Sequence, residues 1–86
     1  MIVQVFHKYG SEFRHVADVE CSIGLSIDAL EEAFASTNHI YRSWWENANV
    51  INALPIHRSS MFGDKFVIPS RNESWICKLS GWKLEV

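Results

Sequence analysis

An α+β fold in the order ββαβββ, a curved antiparallel sheet with one helix packed across it, is what this chain of 86 residues predicts. Three observations carry the prediction. Residues 1–21 alternate between apolar and polar side chains in two runs divided by a turn, residues 26–38 carry a helical stripe, and three short runs with alternating character follow residue 60. One domain, 1–86, is the expected organisation, since a chain of this size builds a single core.

The first run, MIVQVFHK, sets Val3, Val5 and His7 on one face and Ile2, Gln4, Phe6 and Lys8 on the other. Tyr9-Gly10-Ser11-Glu12 supplies turn residues. The second run then places Phe13, Ala17, Val19 and Cys21 opposite Arg14, Asp18 and Glu20, so the two runs form a hairpin. A helix is expected over 26–38. Ser26 is the predicted N-cap, Asp28, Glu31 and Glu32 favour the positive end of the helix dipole, and Leu25 with Leu30 stand at staple positions. Its stripe, Ile27, Leu30, Ala33 and Phe34, faces the sheet at Val3, Val5, Phe13, Ala17 and Val19, and Asn38 is the expected stop. Residues 47–57 read as a surface connection without period. Residues 61–68 read as a strand opened by Gly63-Asp64, 69–73 as a turn, and 75–79 and 82–86 as the last two strands, five in all.

Composition limits the function classes. The formal charge of −2 and pI near 6.0 argue against a nucleic-acid binder that works by neutralising phosphates, which needs clustered Lys and Arg. No apolar run approaches the roughly 20 residues of a membrane span, and the amino-terminal run lacks a basic leader, so a cytoplasmic protein is expected. Cys21 and Cys77 fall on the apolar phase of their strands and read as buried thiols. His7, His15, His39 and His57 show none of the close spacings that prearrange a metal site, and no cofactor motif is present. No catalytic residue is assigned.

The stretch TNHIYRSWWEN, 37–47, is the most informative. Adjacent tryptophans diverge on any regular backbone, so one of Trp44 and Trp45 is expected in the core and the other at its rim or surface. An exposed Trp beside Arg42 and Glu46 has the composition of an interface anchor. If the 47–57 connection folds back, Thr37, Asn38, His39, Trp44, Arg58 and Ser59 form one polar patch. The competing reading is that these residues only hydrogen-bond the connection in place.

The succession Glu31-Glu32-Ala33-Phe34, Thr37-Asn38-His39, Trp44-Trp45-Glu46-Asn47, Val50, Arg58-Ser59-Ser60, Gly63-Asp64 and Gly81-Trp82 resembles a family of small accessory proteins of bacteriophages and plasmids. The resemblance spans roughly residues 28–86. The sequence departs from the family's pattern at Met61-Phe62, where Ser-Val is common, and at Pro69, where a short Asp-Gly hairpin is usual. The resemblance implies a mobile-element origin, a β-rich C-terminal half and residence in the host cytoplasm. It implies no established activity. By analogy with other small phage proteins, the expected role is non-enzymatic: binding and blocking a host or phage protein, such as a host defence protein. A second copy of this chain is another candidate partner. Asn38, His39, Arg42, Trp44, Trp45, Glu46, Arg58 and Ser59 are the expected partner-binding residues. The alternative is a single-stranded nucleic-acid binder using exposed aromatics beside Arg42, Arg58 and Arg71.

Overall fold

The alternating runs become strands of one antiparallel sheet. The computed structural model describes residues 1–38, 43–54 and 58–85. Among them, six strands, β1 (Ile2–Tyr9), β2 (Glu12–Glu20), β3 (Val50–Ile51), β4 (Lys65–Ile68), β5 (Glu73–Lys78) and β6 (Gly81–Leu84), lie in the order β3-β2-β1-β4-β5-β6. One helix, α1 (Ser26–Ser36), covers one face, and 3₁₀ turns occupy Trp44–Glu46 and Pro69–Arg71. The class is α+β. No described helix is long and apolar enough to cross a membrane.

Register explains the core. Val3 faces Val19 and Val5 faces Ala17 across β1–β2, while Val5 also faces Phe66 across β1–β4. With Leu30, Ala29 and Ala33 of α1, Ile68 and Trp44, these residues are fully withdrawn from water. The same pairing accounts for a correction. Between Val5 and Phe6 the register shifts by one residue of β2, leaving Val16 as a bulge. Alternation therefore changes phase at Val16, and Phe13, expected in the core, emerges on the open face under the Lys65 ammonium, 5.0 Å from its ring centre. Phe6 stacks on His15 on that face, at 4.8 Å.

The helix also departs from expectation at both ends. Leu25 occupies the N-cap without a side-chain bond, and Ser26 instead donates to Glu73 Oε1 at 2.6 Å and accepts from Arg71 Nη1 at 3.0 Å. With its hydrogen on an ionised carboxylate and its oxygen taken by a guanidinium, the hydroxyl is drawn away from the helix N-terminus. The staple does not form, since Leu25 is 73% exposed, and Ile27 lies outside the buried stripe. The helix stops at Ser36, with Thr37 as C-cap at φ −108°. Asn38 ends it through its side chain, which donates to the Phe34 carbonyl, and not through a left-handed backbone.

The connection after residue 47 is partly a strand: β3 pairs Val50 with Val19 and Ile51 with Asp18, making six strands where five were expected. Beyond it, the Leu54 N–H reaches the Val16 carbonyl at 2.8 Å. Residues 61–64 form a turn, so β4 begins only at Lys65.

Candidate partner-binding surface

A set of buried polar groups joins β1, the end of α1 and the loop before β4. Asp64 is 1% exposed, yet its carboxylate accepts four hydrogen bonds. Arg58 donates through Nη1 to Oδ2 and through Nη2 to Oδ1, both at 2.8 Å. The Lys8 N–H donates to Oδ1 at 2.9 Å and the Met61 N–H to Oδ2 at 2.8 Å. A buried carboxylate is tolerated when its lone pairs are filled and a cation opposes it, and both conditions hold here. The Arg58 guanidinium also donates to the carbonyls of Ser59 and Lys8 and lies over the Tyr9 ring at 5.4 Å. Its hydrogen bonds to Asp64 raise the Arg58 pKa above its ordinary value.

A second chain of bonds fixes proton positions. The Thr37 hydroxyl donates to the Ala33 carbonyl at 2.8 Å, so its oxygen accepts from Ser60 Oγ at 2.7 Å. Ser60 Oγ, having given its only hydrogen, accepts from His7 Nε2 at 3.0 Å. This order of donors makes His7 the Nε2–H tautomer, and among the described residues its buried Nδ1 meets no hydrogen-bond partner. The order His7–Ser60–Thr37 is not the geometry of a hydrolytic triad. Asp64 lies 3.8 Å from the same Nε2 that meets Ser60, whereas a triad carboxylate orients the opposite ring nitrogen.

Burial, with Arg58 adding to it and Asp64 opposing, lowers the His7 pKa from 6.5 to about 4. The unfolded chain takes up the proton near 6.5 and the folded chain only near 4, so the unfolded state binds more protons between these values. Stability is therefore full above pH 6.5 and falls as the pH drops to 4, by about 2–4 kcal/mol for this group. Urea midpoints across this window, compared with those of His7→Gln, measure the effect. The variant is expected to flatten the slope.

These bonds report where the predicted patch resides. Thr37, Trp44 and Arg58 do come together, with Thr37 and Trp44 buried and Arg58 partly exposed. Trp44 is fully buried, its Nε1 donates to the Arg58 carbonyl at 2.9 Å, and its ring meets His7 edge-on at 6.1 Å. The Ser60 N–H donates to the Thr37 carbonyl at 2.9 Å. Of the two tryptophans, Trp44 is therefore the one in the core, and Arg58, 26% exposed, is engaged in pinning the chain. Trp45 is half-buried and packs edge-on against Trp44 at 5.5 Å, Glu46 is exposed, and Asn38 and Ser59 are half-buried. His39 and Arg42 lie outside the described residues.

What the pinned loop presents is apolar. The Gly63 N–H reaches the Cys77 carbonyl at 2.7 Å and the Cys77 N–H reaches the Asp64 carbonyl at 3.0 Å, extending the β4–β5 ladder into the turn. Phe62 and Leu79 therefore stand at the same end of the sheet, 53% and 84% exposed, with Met61 and Tyr9 also exposed. Beside them a crevice of about 220 Å³ opens between Glu31 and Phe34 of the helix, Leu79 of the β5–β6 turn, and Gly81 and Trp82 of β6. Trp82 Nε1 donates to Glu31 Oε1 across it at 3.0 Å. Cys77 also lines the crevice, but burial raises its thiol pKa, as burial pushes that of Cys21 up to about 11, so neither thiol is ionised near neutrality. Among the described residues no three His, Cys, Asp or Glu side chains gather as metal ligands. Sequence reasoning assigned Met61-Phe62 to a strand; the signal against this was the Gly63-Asp64 turn pair following directly.

No family model, curated protein or solved structure matches this chain.

Proposed function

We propose that this chain is a non-enzymatic binding module of phage or plasmid type, which acts by occluding a protein partner such as a host defence protein. The observation that supports the reading is the cluster Tyr9, Met61, Phe62 and Leu79. Four large apolar side chains are held out at one end of the sheet, and two of them, Met61 and Phe62, stand on a loop fixed from beneath by Asp64, Arg58 and Ser60. Preorganised apolar side chains beside a crevice are what a protein interface needs, because little entropy is lost in ordering them on binding. Met61-Phe62 is also where the sequence leaves the pattern it resembles, which suits a surface that selects a particular partner.

The test is capture from host lysate by wild type and by Phe62→Ser. Phe62 is exposed, so the substitution is expected to change stability by no more than about 0.5 kcal/mol while abolishing capture. Equal capture by both proteins rejects this surface. Binding that collapses by orders of magnitude between low and moderate salt identifies phosphate contacts and favours the nucleic-acid reading instead.

A further inference from the structure

We infer that β6 pairs antiparallel with β6 of a second copy, in the register centred on Leu84, to make a two-fold dimer with a continuous sheet. This surface is separate from the Met61-Phe62 end, so either proposal can fail without the other.

The backbone supplies the first half of the inference. Among the described residues β6 is an edge strand, bonded only to β5. The Glu85 N–H donates to the Ser74 carbonyl at 2.8 Å, which marks that pair as mutually bonded. In an antiparallel ladder bonded and non-bonded pairs alternate, so Ile76–Lys83 is the next bonded pair, and Trp82 and Leu84 point their N–H and C=O groups away from β5. Among the described residues no backbone group reaches them. Leu84 is exposed and stands on the helix-covered face opposite Trp75. The opposite edge, β3, offers only two residues and no comparable ladder.

Charge selects the occupant and the register. Lys83 and Glu85 flank Leu84 on the open face, so a strand running antiparallel with Leu84 opposite Leu84 sets each Lys83 against the second copy's Glu85. Symmetry repeats the pair, giving two opposite-charge contacts. Centring instead on Lys83 places two ammonium groups face to face, and centring on Trp82 leaves Lys83 opposite Gly81. The sequence Lys-Leu-Glu is thus complementary to itself in one antiparallel register, which an arbitrary partner strand would not match. Glu85 already lies 3.4 Å from Lys65 and would then sit between two cations.

Sedimentation equilibrium over a concentration series up to about 1 mM tests the dimer. Wild type is expected to show a reversible monomer–dimer equilibrium. Lys83→Glu and Glu85→Lys should each weaken it by about tenfold, because two attractive contacts become repulsive, and the double reversal should be tighter than either single change, short of wild type because Lys65 stays beside position 85. Leu84→Pro removes an outward N–H that β5 does not use and should leave a folded monomer. Wild type that stays monomeric throughout the series, or a double reversal no tighter than either single change, overturns the proposal. Phe62→Ser should leave the equilibrium unchanged.

Discussion

Replacing Asp64 with Ala is expected to lower the unfolding free energy by about 3–5 kcal/mol, a large share of the 5–15 kcal/mol typical of a domain. The carboxylate is withdrawn from water and accepts from both arms of Arg58 and from the N–H groups of Lys8 and Met61. Its removal leaves a part-buried cation unopposed and strips two backbone donors of their acceptor, and each lost partner costs its desolvation penalty. Asp64→Asn should recover little of this, because an amide offers one acceptor oxygen and turns its own hydrogens toward donors. Urea unfolding measures the loss, and limited proteolysis between residues 58 and 64 should report a loosened turn in both variants. A cost below about 1 kcal/mol would show that the pair is exposed and weak, like ordinary surface ion pairs.

Trp44→Ala should cost about 3–5 kcal/mol, as expected for deleting a fully buried aromatic ring. Part of the cost lies in the Arg58 carbonyl, which loses its donor, and part in the edges of His7 and Trp45, which lose their packing surface. Trp45→Ala, at a half-buried position, should cost about 1–2 kcal/mol. Denaturation midpoints of the two variants provide the comparison. Equal costs would place both rings at the same depth, contrary to the asymmetry seen here.

Much of the fold was legible because alternation in β1 and β2 and the stripe of α1 are local patterns. Phe13 was not, because a bulge inserts a single residue at Val16 and reverses every position before it, while the sequence keeps its apparent alternation. Two residues are too few to show a period, so β3 was read as connection. Ser26 misled because its partner, Glu73, is 47 residues away. At the site, the predicted patch did contain groups that meet, Trp44 with Arg58, whereas Ser60, which bonds Thr37, was not part of it. Whether they meet outside or inside was decided by His7 and Asp64, whose part in the cluster depends on β1 lying beside β4. The apolar end was hidden because Met61-Phe62 has the composition of a strand.

The order β3-β2-β1-β4-β5-β6 also has a kinetic consequence. Two sets of neighbouring strands, β1–β2 and β4–β5–β6, are each joined by short turns and can form locally, whereas the β1–β4 seam joins distant parts of the chain. The bond from Lys8 to Asp64 spans 56 residues, and closing a loop of that length costs about 3–4 kcal/mol of chain entropy before the contact returns anything. This topology predicts a folding rate set by how readily the front hairpin and the back meander meet. The His7, Ser60 and Asp64 contacts span the same seam, so they form with that collision and, once made, resist its reversal.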